Sequence, residues 1–219
     1  MYDLHRTVLR GLPDRLDIGQ GAGPRAACGL LYRLERPPEP TAGVRLLVQS
    51  TVVPDWGALP PGYLLSARGA GDAAIMKDIA PVYDRLEANM AFRFVLRATP
   101  SRAAPDKRTS TDGRSPRVPL LTDAERLSWL HRKSERAGFE ISPGHDSAAD
   151  SSVRIVGSEC VTGKARGRTI TLTAVTFDGT LRVTDARVFR RALEEGIGPA
   201  KGFGFGLLSL ARHGRAVAW

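Results

Sequence analysis

The order of apolar patterns after residue 90 constrains the fold more than any single motif. AFRFVLRA, residues 91–98, alternates Phe92, Phe94 and Leu96 with Arg93, Val95 and Arg97, which predicts a strand that buries one face and offers arginine on the other. Thr122 and Glu125 stand at capping-box spacing before a stripe of Leu127, Leu130 and Ala137, and Gly138 follows as a helix stop. VRIVGSECV and TITLTAVTF read as strands joined across the basic TGKARGR, and Asp178-Gly179 predicts a further turn into TLRV. Asp185 is placed to cap a helix through Val188, Ala192 and Leu193 that ends at Gly196, after which FGLLSLA supplies a last strand.

Strand, helix, strands, helix, strand is the split βαβ order of the α+β ferredoxin-like fold. The first half follows the same plan without an opening strand. Leu4, Val8 and Leu12 recur at intervals of four, with Asp3 in the favourable first turn, so a helix starts almost at Met1. Residues 15–27 are rich in Gly, Ala and Arg and read as a loop. CGLLYRLE and VRLLVQSTVV read as a strand pair across PPEPTAG, and PDWGALPPGYLL suggests a short helix or irregular segment. Residues 66–90 carry no decisive pattern, and 101–117, with five basic residues and two prolines, read as a basic loop without regular structure. The expected division is 1–88 and 91–212, two tandem ferredoxin-like (RRM-like) domains, the first lacking its N-terminal strand.

Lys and Arg number 32 against 23 Asp and Glu, a formal charge of +9, which favours a polyanionic partner and makes nucleic acid the first expectation. Cys28 and Cys160 lie far apart with no CxxC pair, which fits a reducing cytoplasm. No apolar stretch approaches the roughly 20 residues that span a bilayer, so no membrane partner is expected. The histidines beyond His5, namely His131, His145 and His213, have spacings that form no metal set, and no metal or other cofactor is expected. Trp129 lies beside the Leu127–Leu130 stripe and reads as core.

EGIGPAKGFGFGLLSLA, residues 195–211, places five glycines in eleven positions before an apolar run. Lys201 stands where a GxGxxG fingerprint counted from Gly196 needs glycine, and no GK[ST] follows, so neither nucleotide motif applies. Unhindered N–H groups at Gly198, Gly202 and Gly204 beside Lys201 would let a phosphate backbone lie close to the main chain.

This glycine segment resembles the C-terminal signature of the CasE family of CRISPR repeat-processing endoribonucleases, of type I-E systems within the RAMP superfamily. YDLHR (2–6), LLVQS (46–50), FRFVLRATP (92–100), RVPLLTDAERLSWLHRK (117–133) and FDGTLRVTD (177–185) fall in matching order, so the resemblance spans essentially the whole chain. It implies binding of a CRISPR repeat stem-loop and metal-independent cleavage at the 3′ base of the stem. The 2′-OH attacks its neighbouring phosphate and leaves 2′,3′-cyclic phosphate and 5′-OH ends. It also implies retention of the product within an interference complex, with other subunits of that complex as partners. The family's catalytic tyrosine and histidine, three residues apart, correspond to Tyr2 and His5. On a helix this spacing puts both on one face, and an imidazole titrating near 6.5 suits proton transfer. Arg6 and Arg10 on the same helix are candidates for gripping the phosphate. Lys164, Arg166 and Arg168 occupy the hairpin tip that in the family enters the RNA major groove, which opens near a helix end.

Members of the family begin with a strand ahead of this helix, whereas here Met1 directly precedes Tyr2, so the native chain is expected to begin upstream of Met1; the RHGRAVAW tail lies outside the matched pattern. The alternative to an endonuclease is a ferredoxin-like RNA-binding subunit without catalysis. A DNA-binding protein is disfavoured, since no helix-turn-helix pattern occurs.

Overall fold

The computed structural model describes residues 2–13, 23–35, 44–64, 74–104, 116–141, 153–165 and 168–212. In the first half, helix α1 (Tyr2–Arg10) and the short α2 (Pro24–Ala27) precede an antiparallel pair, β1 (Leu31–Glu35) and β2 (Arg45–Gln49). Val8 and Leu12 of the predicted stripe are buried with Cys28 and Leu30, and Leu4, Leu46, Val48 and Trp56 pack around them. The apolar face of α1 therefore lies on this strand pair. The expected loop over 15–27 closes as helix at its end, because Ala26 and Ala27 donate to Gly23 O; residues 14–22 lie outside the described part. A single 3₁₀ turn, Trp56–Ala58, is capped by Asp55, and the undecided stretch before residue 91 contains α3 (Ala80–Tyr83).

The second half carries β3 (Ala91–Ala98), a small ribbon of β4 (Ser101–Ala103) with β5 (Arg117–Pro119), α4 (Asp123–Arg136), β6 (Phe139–Ile141), β7 (Val153–Ala165), β8 (Arg168–Val183), α5 (Ala186–Glu195) and β9 (Leu208–Arg212). β3 lies between β8 and β9, and β6 and β7 share the far edge of β8. That is the ferredoxin-like arrangement, with its second strand delivered in two pieces. Ile141 pairs with Leu181 and Val153 with Gly179, so the edge resumes in register after residues 142–152. Both bonds of the capping box at Thr122 and Glu125 form, and Asp185 caps α5 as its spacing predicts. Phe94, Leu96, Trp129, Leu130, Phe139, Phe177, Phe189 and Leu208 make the core between sheet and helices, and Leu86 joins it from the segment after α3.

Four further expectations change. The turn at Asp178-Gly179 does not form, because β8 passes straight through it: Asp178 is buried in mid-sheet with its carboxylate on Arg93 (3.2 Å), and Gly179 pairs with Phe94 and Val153. The loop over 101–117 begins and ends as strand, where Arg117 donates to Ser101 Oγ and O; residues 105–115 lie outside the described part. The arginine face of β3 is only partly offered outward: Arg93 is held by Asp178, Arg97 pairs with Glu159, lies over the Phe205 ring (5.4 Å) and donates to Leu34 O (3.5 Å), and Val95 O accepts from Arg33 (3.4 Å). The last strand starts at Leu208 rather than Phe205, because Gly206 is held in a positive-φ turn (+90°).

Gly138 joins three elements. Its φ is +74°, its carbonyl accepts from Thr184 and Asp185, and a Cβ there would stand 2.6 Å from Asp185 O and 2.7 Å from Phe189 N. Gly138→Ala must bear both a left-handed alanine and a backbone clash, and should cost at least about 2 kcal/mol. A lowered urea midpoint with unchanged slope is the expected result; a wild-type midpoint would refute this packing.

Candidate active site

Burial of Val8 and Leu12 sets the rotation of α1, and that rotation turns His5 toward β1 and the glycine segment. The imidazole stacks on Tyr32, with centroids 6.2 Å apart and planes 20° from parallel. Its other neighbour is main chain: a Cβ on Gly202 would lie 3.8 Å from His5 Cε1 and 3.9 Å from Nε2. The phenol of Tyr32 donates to Gly202 O (2.6 Å), so the tyrosine locks the 3₁₀ turn Lys201–Phe203 beneath the histidine. Nδ1 of His5 is buried with no hydrogen-bond partner among the described residues. Protonating both ring nitrogens would leave a buried N–H unanswered. Burial first, and the charge of Arg25 second, hold the imidazole below its ordinary value of 6.5. The ring is neutral at neutral pH.

The glycine segment is closed at its base, where Ile197 N donates to Gly206 O (2.9 Å) and Gly206 N donates to Arg97 O (2.8 Å). Between these ties, Gly198 and Gly204 take φ of +86° and +83°, and their missing side chains are replaced by the Trp129 and Tyr32 rings, each about 3.0–3.1 Å from a would-be Cβ. Ala200 also sits in the left-handed region, at φ 63°, to start the turn that carries Lys201. Lys201 lines a cleft with Arg25, Gly29, Thr51, Glu194 and Glu195. Its ammonium is held low by burial and then by Arg25, with Glu195 acting the other way and Lys133 adding to the depression. Glu195 already accepts from Arg191 (2.6 Å). Two cations thus share the cleft with two carboxylates that arginines of α5 already engage, Glu194 with Arg190 (2.9 Å) and Glu195 with Arg191, which leaves Arg25 and Lys201 available to an oxyanion.

The predicted residues His5, Lys201, Gly202 and Gly204 come together here, and Gly198 lies at the far end of the same segment against Trp129. Tyr2 opens α1 three residues before His5, and its side chain lies outside the described part. Arg6 and Arg10 are exposed on α1, with no ion pair among the described residues. Lys164 and Arg168 fall at the adjoining ends of β7 and β8, Arg166 lies outside the described residues, and so do His145 and His213. Trp129 is core, as its spacing predicts.

Sequence reasoning missed Tyr32 and Arg25. Tyr32 carries the pattern of an ordinary core strand residue, and only the pairing of β1 over the glycine turn gives its hydroxyl a task. Arg25 sits in a stretch read as loop, yet its Nη1 donates to Leu30 O (3.1 Å), which fixes it over the cleft.

A family model described as CRISPR associated protein matches residues 1–212. The chain is 32% identical over 218 residues to the CRISPR-associated endoribonuclease Cse3 of Thermus thermophilus, covering 96% of this chain and 89% of that protein. It is 28% identical to the CRISPR system Cascade subunit CasE of Escherichia coli, covering 96% and 92%. Among solved structures, Thermus thermophilus Cse3 bound to an RNA representing a pre-cleavage complex matches with a TM-score of 0.73 and 30% identity over 96% of this chain and 88% of that one.

His5 should titrate below 6.5 by NMR, and Arg25→Gln should raise its midpoint only partway, since burial is the larger cause. The sign follows for folding: the unfolded chain binds the proton more readily, so stability rises with pH through this window and falls as pH drops below 6.5. A midpoint at or above 6.5 in the folded protein would contradict the geometry.

Proposed function

Because the chain belongs to the family of CRISPR-associated proteins that includes Cse3 and CasE, we propose that it is an endoribonuclease that binds the CRISPR repeat stem-loop. It cuts at the 3′ base of the stem and remains as a subunit of the interference complex. The observation that carries this is the neutral imidazole of His5 lying on the main chain of Gly202, beside Lys201.

In the reaction, the ribose 2′-oxygen bonds to the adjacent phosphorus and the bond from phosphorus to the 5′-oxygen breaks. His5 takes the 2′-OH proton, which its neutral state leaves it free to do, and a proton is returned to the departing 5′-oxygen. Products are a 2′,3′-cyclic phosphate and a 5′-OH. Tyr2, one turn earlier on α1, orients the reacting group. Lys201 offsets charge that develops on the phosphoryl oxygens, and Gly198, Gly202 and Gly204 shape the turn that presents it, their missing side chains leaving room for the Trp129, His5 and Tyr32 rings. Arg6 and Arg10 hold the flanking phosphates, and Lys164, Arg166 and Arg168 at the end of the β7–β8 ribbon enter the groove of the stem. We assign residues 1–88 the catalytic helix and 91–212 the glycine segment and ribbon; each half has its own core cluster, with Tyr83 and Leu86 of the first half packing into the second. No helix among the described residues is long and apolar enough to cross a membrane. We assign a cytoplasmic location, for which the wide separation of Cys28 and Cys160, without a CxxC pair, is the support.

His5→Ala should slow single-turnover cleavage of a repeat hairpin by about 10²–10⁴-fold with RNA affinity retained. Wild-type cleavage should persist in excess EDTA, vanish with a 2′-deoxy group at the scissile ribose, and decline as pH falls through the depressed His5 midpoint. Binding without cleavage by the wild-type chain would instead establish a non-catalytic RNA-binding subunit.

A further inference from the structure

The run of cations near His5 does not end at Lys201. Beyond Gly198 the glycine segment abuts Trp129 of α4, with a would-be Cβ 3.1 Å from Cη2 and Cζ2, and the ammonium of Lys133 lies 6.0 Å over the same indole ring. One aromatic ring therefore touches the glycine segment and carries the next cation along. Lys133 is half-buried, and Arg117, Arg132 and Arg136 stand near enough for their charges to oppose its own. Its charge also reaches Lys201. Arg132 and Arg136 are exposed on the last turns of α4, and Arg117 is pinned by two hydrogen bonds to Ser101.

Nothing among the described residues neutralises this group. Lys133, Arg132, Arg136 and Arg117 form no ion pair there, whereas Arg182, Arg190 and Arg191 elsewhere on the surface are each matched to a carboxylate. Glu135, in the same last turns, pairs with none of them among the described residues. Crowded like charges around a partly desolvated lysine oppose folding unless an external polyanion resolves them. Because the group continues from Lys201, whose turn lies against His5 through Gly202, the polyanion is the one being cut.

We propose that Lys133, Arg132, Arg136 and Arg117 form a track for the backbone of the unpaired RNA strand that leaves the cleavage site, guided from the cleft by Lys201 across the glycine segment. The track lies on the α4 side of the glycine segment, apart from the β7–β8 ribbon assigned to the stem. It reads no bases: its groups are cations suited to phosphates, so its contribution is sequence-independent and salt-dependent. This inference rests on the endoribonuclease reading and adds to it a defined route for the flanking strand.

The test compares Lys133→Gln/Arg132→Gln/Arg136→Gln with the wild-type chain on three RNAs: the repeat hairpin with both flanks extended, and the same hairpin trimmed to the scissile nucleotide on the 5′ or the 3′ side. With the doubly flanked RNA, the slope of log affinity against log salt should fall by about 2, at about 0.7 for each phosphate no longer neutralised. Trimming one of the two flanks should abolish the difference between variant and wild type, which also identifies the strand that follows the track. Arg117→Gln, on a separate element, should show the same dependence on that flank with a slope change of about 0.7. Wild-type slopes in both variants, or an equal weakening on all three RNAs, would overturn the proposal. Failure of the wild-type chain to bind any of the hairpins would instead refute the endoribonuclease reading. Thermal melting of each variant separates loss of charge from loss of fold.

Discussion

The contact on which the rest depends is the closure of β1 onto the glycine segment. Four consecutive residues, Leu30 to Arg33, are buried, and each meets a different partner. Leu30 joins the core beneath α1, Leu31 fills the space that a side chain on Gly196 would need, Tyr32 binds Gly202 and lies against Gly204, and Arg33 donates to Val95 O. A strand covered on both sides has no solvent face, so the two halves share this element rather than merely touching. Gln49 adds a bond to Leu193 O (2.8 Å), and Tyr83 bonds Gln49 in turn (2.9 Å). Position of α1 relative to the glycine turn is thereby fixed by packing and not by the helix itself.

The chemistry at His5 follows from that closure. A histidine on an exposed nine-residue helix would titrate near its ordinary value and point in several directions. Here the Tyr32 ring and the Gly202 main chain confine it, and the same confinement lowers its proton affinity. Rigidity and pKa therefore have one cause. Lys201 is treated alike: its turn is locked by the Tyr32 hydroxyl and its charge is raised in energy by burial and Arg25, which leaves it poised for an anion.

Much of this was legible in the sequence because local rules act alone there. The capping box at Thr122, the Leu4–Val8–Leu12 stripe and the alternation in 91–98 each specify their element without help from distant residues. The glycine density around Lys201 marked the segment as special, but what Gly196, Gly198, Gly204 and Gly206 supply is positive φ, and the first three also leave room for Leu31, Trp129 and Tyr32. What could not be read was decided across the sheet. Asp178-Gly179 has the composition of a turn, but pairing on both sides of β8 keeps it extended, and the buried carboxylate is matched by Arg93, 85 positions away in sequence. Arg25 and Tyr32 gained their places for the same reason: their partners, His5, Lys201 and Gly202, are contributed by separate elements.

The interrupted edge strand has a further meaning. Val153 occupies the place beside Gly179 that the second residue after Ile141 would otherwise take, so the sheet resumes as though the intervening segment did not exist. Its length is invisible to the hydrogen-bond ladder. Evolution can lengthen, shorten or replace the peptide spliced there at little more than the cost of loop closure, about 0.6 kcal/mol per doubling. An experimenter can use the same seam to seat a fluorophore or an affinity handle, on the opposite side of β8 from the strand that reaches the glycine segment.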